Sequence, residues 1–297
     1  MTGMNGRIIR GVAGFYYVLA DDAAVYECKA RGSFRNEKLR PVVGDYVTIS
    51  VTSPSDMEGS IDSVAPRKNE LLRPLCANVD QALILFAVRN PEPSAILLDR
   101  MLLAMEMQNI PAAIAFNKSD LGSGPELAAL AEIYRASGYP VHFLSIREGM
   151  GLSELMEILH GKTTVLCGPS GVGKSSLSNF LQKEVTMEVG EISKKLRRGK
   201  NTTRHAALLA VGEGTYLMDT PGFSAFEAGD LAPEDLRFYY PEFASYEGKC
   251  RYGGCLHDRE PECAVRDAVQ EGKIPEIRYG NYRTLLAELR DREKRRY

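Results

Sequence analysis

Three short segments, and above all their order, constrain this chain most. Asn117-Lys118-Ser119-Asp120 comes first, Gly168-Pro169-Ser170-Gly171-Val172-Gly173-Lys174-Ser175 second, and Asp219-Thr220-Pro221-Gly222 third. The second has the Gly-x4-Gly-Lys-Ser spacing of a loop that wraps phosphates. The first carries the residue types that read a guanine base, and the third those that sense a γ-phosphate and its magnesium. In ordinary GTPases the phosphate loop leads and the base-reading segment trails. Here the set is complete but its order is rotated, which implies a circularly permuted GTPase.

With 297 residues, 44% of them hydrophobic and 26% charged, the chain has the material for two or three globular domains. A formal charge of −2 excludes a uniformly basic coat, so any RNA contact must use local patches. No stretch of about 20 apolar residues is present, so no membrane span is expected and a cytoplasmic location is the simplest reading. Cys28, Cys76 and Cys167 stand singly. Cys250, Cys255 and Cys263 cluster around His257, a pattern that points to metal rather than disulfides.

Residues 7–64 read as five short strands punctuated by Gly14, Gly32, Gly44 and Gly59, which suggests a small closed barrel such as an OB-fold. Residues 65–78, with two prolines and several basic residues, read as a linker. From Val79 onward strands and helices alternate, as in a mostly parallel sheet with helices on both faces. Past Ala228 the strands stop, and helical stretches surround the cysteine cluster. The expected architecture is α/β. A barrel (1–68) and a C-terminal helical zinc-binding domain (229–297) would flank a permuted P-loop GTPase domain (69–228).

The glycine-rich segment follows a predicted strand, Thr163–Cys167, and opens a predicted helix. In that context the backbone N–H groups of Gly168, Pro169's successors Ser170, Gly171, Val172 and Gly173 face the phosphates, aided by the helix dipole. Lys174 would reach the β- and γ-phosphates, Ser175 would ligate Mg²⁺, and Ser176 completes the contact set. A glycine-rich turn with a fortuitous Lys-Ser is the bland alternative. Asp120 would accept both the ring N–H and the exocyclic amine of guanine, and adenine would leave it unpaired. Asn117 would brace neighbouring loops, Lys118 would cover a base face, and Ser145-Ile146 would close over the base. Asp219 would hold magnesium through water, and the Gly222 N–H would sense the γ-phosphate. All these segments are predicted at carboxyl ends of strands, where open α/β sheets bind ligands.

Between Val189 and Ala207 lies a basic stretch containing Asn201, Thr202, Thr203 and His205. Thr202 or Thr203 is the candidate switch threonine for Mg²⁺ and the γ-phosphate. The charges read equally as a solvated loop or as a contact for RNA phosphates. Phe223 occupies the position where many GTPases orient water with Gln, so slow intrinsic hydrolysis, accelerated by a partner, is expected. Cys250-x4-Cys255-x-His257-x5-Cys263 supplies three thiolates and one imidazole within 14 residues, enough for one closed, structural zinc. Chance clustering of reduced cysteines is the alternative. His142 and His160 read as ordinary strand and helix-end residues.

Taken together, the chain resembles the ribosome small subunit-dependent GTPase family (RsgA/YjeQ) over nearly its full length. Besides the nucleotide motifs, the resemblance includes Arg31-Gly32-x-x-Arg35, Val43-Gly44-Asp45-x-Val47 and Arg67-x-Asn69-x-Leu71-x-Arg73-Pro74. It continues through Asn78-Val79-Asp80-Gln81 and Cys263-Ala264-Val265. It implies a late-acting maturation factor of the small (30S) subunit, binding ribosomal RNA, using GTP/GDP, Mg²⁺ and one Zn²⁺, and stimulated by the subunit; a monomer is expected. The family's switch often reads Gly-x-His-Thr-Thr, with the His proposed to aid hydrolysis, whereas this chain has Asn201. An amide cannot act as a base at neutral pH, so Asn201, His205 or a ribosomal group remain alternatives. Rotation also makes the Asp219–Gly222 switch lead into the zinc domain, so nucleotide state is expected to reorient that domain. A GTP-regulated RNA-binding module with incidental hydrolysis is the competing reading; a P-loop kinase is disfavoured by Asn117–Asp120.

Overall fold

A computed structural model describes residues 3–32, 34, 39–72, 75–189, 207–219 and 231–296. They form two compact units, drawn from Met1–Ala82, Ser153–Cys167 and Lys174–Phe223 in one case, and Leu83–Leu152, Gly168–Gly173 and Ser224–Tyr297 in the other.

The first unit begins with β1 (Met4–Val12), β2 (Phe15–Ala20), β3 (Val25–Ala30), β4 (Tyr46–Ser53) and β5 (Glu58–Val64). β1 pairs antiparallel with β2, β2 with β3, β3 parallel with β5, β5 antiparallel with β4, and β4 antiparallel with β1. The circuit closes, so no edge is left within the barrel. Its interior is filled by the buried side chains of Ile8, Val18, Cys28, Val47, Ile49 and Ile61, one per pleat as a half-buried strand requires.

The segment expected as a linker is ordered by its own side chains. It holds a two-stranded ladder, β6 (Glu70–Leu72) and β7 (Leu75–Ala77). Arg67 forks onto the buried Asp45 carboxylate at 2.7 and 2.8 Å. The Asn69 amide donates to the Val79 carbonyl (2.7 Å) and accepts from the Val79 N–H (2.9 Å), and Asn78 accepts from the Lys68 N–H at 2.9 Å. Asparagine imitates a strand partner here, so the backbone is satisfied without a long ladder.

The same unit contains β11 (Thr163–Cys167), β12 (Ala207–Gly212) and β13 (Thr215–Asp219), with helix α4 (Lys174–Val189). β11 and β13 run parallel, whereas β12 is antiparallel to β13 and meets barrel strand β1 through the pair Arg10 and Ala207. The sheet is therefore mixed at this edge.

The second unit holds most of β8 (Gln81–Ala87), together with β9 (Ala112–Asn117) and β10 (Val141–Phe143), the last two parallel. Ala82 to Ala87 are all buried, as an apolar run covered on both faces should be. Helix α1 (Ala95–Glu106) starts where the Ser94 hydroxyl accepts from the Leu97 N–H. Helix α2 (Gly124–Arg135) starts where Glu126 accepts from the Ser123 N–H at 2.8 Å, a capping arrangement. Helix α3 (Leu152–Leu159) follows β10.

Towards the C-terminus come 3-10 turns at Pro233–Tyr239 and Pro241–Tyr246, then α5 (Ala264–Gln270) and α6 (Glu276–Arg296). Leu236, Tyr240, Phe243, Tyr282, Leu285 and Leu289 share one core with Cys255, Cys263 and Leu103 of α1. Beside it Arg278 is 1% exposed. Its guanidinium meets Asp99 at 2.7 Å and Glu242 at 2.8 and 3.1 Å and lies 4.7 Å from the Tyr240 ring centre. Neither this arginine nor its partners were singled out in the sequence, where they lie far apart.

Candidate nucleotide and metal sites

β9 ends on Asn117, which is 4% exposed. Its Nδ2 donates to the Val172 carbonyl at 2.8 Å, and its Oδ1 accepts from the Ile146 N–H at 3.2 Å. One amide therefore ties the Asn117–Asp120 segment to the glycine-rich loop and to the loop after β10. Lys118 takes a left-handed conformation (φ 60°), and its ammonium donates to the Gly171 carbonyl (3.0 Å) and to that of Asn90. Asp120 is exposed, and Ser145 is buried with its hydroxyl accepting from the Glu148 N–H at 3.2 Å.

The glycines of the loop are sterically required at two positions. At Gly168 (φ +145°) an added Cβ would stand 2.1 Å from the Leu85 carbonyl oxygen, and at Gly173 (φ +108°) 2.4 Å from Asn117 Nδ2. Positive φ and closed space together admit no larger residue. Val172 anchors the loop in the core while Ser170 and Gly171 are exposed and Pro169 is half-buried. The result is a backbone cradle held by buried contacts and open on its outer side.

In the chain, Gly173 is followed at once by Lys174, Ser175 and Ser176 at the start of α4, in the first unit. Within that unit Asp219 closes β13 opposite Leu166 of β11, the strand that feeds the glycine-rich loop. Asn201, Thr202, Thr203, His205, Gly222 and Phe223 lie outside the described residues. Sequence reasoning missed Asn90, whose carbonyl receives Lys118. The signal was available, since Asn90-Pro91 follows an apolar strand and precedes a helix, the same placement that marks the other loops.

Cys250, Cys255, His257 and Cys263 form the one candidate metal cluster among the described residues, with ligand atoms all within 4.8 Å of one another. The Cys250 and Cys263 sulfurs are 3.9 Å apart, and His257 Nδ1 lies 3.5 and 3.4 Å from them. Tetrahedral zinc with bonds of about 2.3 Å to sulfur and about 2.0 Å to nitrogen requires edges of about 3.8 and 3.5 Å. The donors therefore fit that ion, and no disulfide joins them. Burial pushes the Cys255 thiol up to about 12 and holds the His257 imidazole below its ordinary value, hence neutral. A cation would supply the charge that thiolates need in such surroundings. Phe243 packs edge-on against the His257 ring, 5.6 Å between centres.

The comparisons with known proteins agree with this geometry. The RsgA GTPase family matches residues 64–229, and the RsgA N-terminal domain matches residues 5–61. A small ribosomal subunit biogenesis GTPase RsgA from Agathobacter rectalis is 47% identical, over 98% of this chain and 100% of the relative. The protein of that name from Caldanaerobacter subterraneus subsp. tengcongensis is 45% identical over 100% and 99%. Among solved structures, YloQ, described as a circularly permuted GTPase, aligns with a TM-score of 0.79 at 36% identity, covering 98% of this chain and 96% of its own. YjeQ from Thermotoga maritima aligns at 0.81 and 36%, covering 97% and 99%. With family models matching residues 5–61 and 64–229, and a 47% identical relative covering 98% of it, the chain belongs to the RsgA GTPase family.

Proposed function

We propose that this protein hydrolyses GTP as a late-acting factor in small ribosomal subunit biogenesis, the process named for its relatives. The observation that carries the nucleotide assignment is the Asn117 amide, which fixes the base-reading segment 2.8 Å from the phosphate loop's Val172 carbonyl. Such rigidity lets base selection and phosphate binding act on one molecule without prior loop ordering. Asp120 reads guanine, and the backbone from Gly168 to Gly173 holds the phosphates. Lys174 neutralises the β- and γ-oxygens, and Gly222 with Thr202 or Thr203 senses the γ-phosphate. Ser175 and Asp219 would hold Mg²⁺, which when bound spreads the developing phosphate charge. Cys250, Cys255, His257 and Cys263 would hold one structural zinc, with no open ligand position for chemistry.

Functionally the chain divides at 1–68, 69–228 and 229–297, with the barrel and the zinc-binding region contacting the subunit's RNA. No helix among the described residues is long and apolar enough to cross a membrane; the proposal places the protein on the ribosome in the cytoplasm, as a monomer. Phe223 cannot align water, so the subunit completes the hydrolytic arrangement. GTP turnover measured across a titration of purified small subunits, with Lys174→Ala as control, tests this. Turnover should rise with subunit and vanish in the variant. A rate indifferent to the subunit, or competition by ATP at equal concentration, sinks the reading.

A further inference from the structure

The geometry points to Tyr216 as a positioning residue for GTP hydrolysis, transmitting engagement of the barrel to Asp219. The inference rests on the function proposed above and adds the route by which the subunit is felt.

Two connections between barrel and switch strand are built into the first unit. The first is a row across the sheet. Arg10 of β1 pairs with Ala207 of β12, Ala207 pairs with Asp219 of β13, and Asp219 pairs with Leu166 of β11. With neighbouring strands about 4.8 Å apart, Asp219 stands only about 10 Å from the barrel strand. The second is a stack of side chains. The Arg7 guanidinium lies 4.8 Å from the ring centre of Tyr46 on β4 and 4.7 Å from that of Tyr216 on β13. Arg7 is 5% exposed, and its nitrogens donate to the Gly44 carbonyl (3.3 Å) and the Asn78 carbonyl (3.2 Å). Asp80 adds a favourable negative charge nearby, and the two rings supply much of the rest of what stabilises the guanidinium.

The strand between Tyr216 and Asp219 has little slack. Leu217 and Met218 are both fully buried. The Tyr216 N–H donates to the Lys162 carbonyl at 2.9 Å, and the Thr215 hydroxyl accepts from the Gly161 N–H at 2.9 Å. At the other end of the stack Tyr46 is 50% exposed and lines a cleft of about 560 Å³ with Asn5, Asp21, Thr48, Ser63 and Tyr216. A partner seated on this side of the barrel meets Tyr46, displaces the Arg7 stack, and shifts β13 as a packed element. A displacement near 1 Å at a catalytic carboxylate is enough to change rates by about 100-fold.

The test uses the full-length protein and purified small subunits, and reads the ratio of stimulated to unstimulated GTP turnover at saturating subunit. Tyr216→Leu should lower that ratio about tenfold without moving the subunit concentration at half-effect. Tyr216→Phe, which keeps the ring, should restore it. Tyr46→Leu, at the half-exposed end of the stack, should lower it in the same sense and keeps the test available should Tyr216→Leu fail to fold. A parental ratio in Tyr216→Leu or Tyr46→Leu, or proportional loss of both rates, overturns the inference: the ring is then only structural. A parental protein that the subunit does not stimulate at all overturns the functional reading itself, a different result from stimulation that ignores these rings.

Discussion

The glycine-rich loop and the cysteine–histidine cluster are opposite ways to hold a charged ligand. The loop presents backbone, and its side chains matter by being absent at Gly168 and Gly173. The cluster presents four side chains whose ligand atoms lie within 4.8 Å of one another. An anion is bound by many weak, fixed dipoles, so the loop must be rigid before the ligand arrives. A cation is bound by a few strong donors whose mutual repulsion the ion itself relieves, so that site gains its order from the ligand. The difference teaches where each region would draw its stability: the loop from Asn117, Lys118 and the Val172 anchor, the cluster from the metal that its donors suit.

If so, stripping the metal has the largest effect. Structural zinc contributes about 10–16 kcal/mol to small domains at neutral pH. A strong chelator or Cys255→Ser should therefore abolish the cooperative melting of the C-terminal core, read by near-UV circular dichroism. Unchanged melting after verified metal loss would break the comparison.

Next comes Arg278→Met, which leaves Asp99 and Glu242 buried together without their cation. A loss of about 3–5 kcal/mol is expected in urea unfolding of the zinc-loaded protein. A loss below about 1 kcal/mol would mean that metal alone organises this region.

Gly173→Ala isolates the backbone-built site. Strain of about 1–3 kcal/mol at a positive φ, added to the closed space beside Asn117, should weaken GDP binding at least tenfold by calorimetry. Metal content should stay at the parental level. Parental GDP affinity would show that the cradle is adaptable rather than fixed.

Asp80, a side chain doing a backbone's work, gives the smallest effect. Its carboxylate accepts from the Thr163 N–H at 2.8 Å and meets the Lys68 ammonium at 2.9 Å. Burial opposes its ionisation, but these partners outweigh it and hold the carboxyl below the ordinary aspartate range. A depressed value in the fold means that the stabilisation is present above about pH 4 and fades as pH falls through the folded value. Asp80→Asn should thus cost under about 1 kcal/mol at pH 6, with the deficit shrinking below pH 4. A deficit that grows on acidification would reverse the assignment.

How much of this could be read from the sequence follows the same division. Loops whose chemistry fixes residue type and spacing, such as Gly168–Ser175 and Cys250–Cys263, are legible because the ligand dictates the pattern locally. The strand feeding the glycine-rich loop, Thr163–Cys167, is legible too, as is the apolar run Ala82–Ala87 of β8. Residues 65–78 were less so. Their order comes from Asn69, Asn78 and Arg67 bonding to backbone and carboxylate at a distance, and no periodicity records that. The two buried arginines were invisible for the same reason. Arg278 finds Asp99 across 179 positions and Glu242 across 36, and only the folded chain brings such charges together. β12 reads as a strand, but its antiparallel sense and its contact with the barrel depend on pairing partners that one strand's composition does not encode.

Leu103 is 2% exposed, and it is the carboxy-terminal residues of its core that cover it. Cut the polypeptide ahead of residue 231 and that face of the helix turns greasy and sticky. Recombination could not swap the tail for an unrelated module without refitting the helix beneath it. Inheritance of the two segments is tied together by a single methyl-bearing surface.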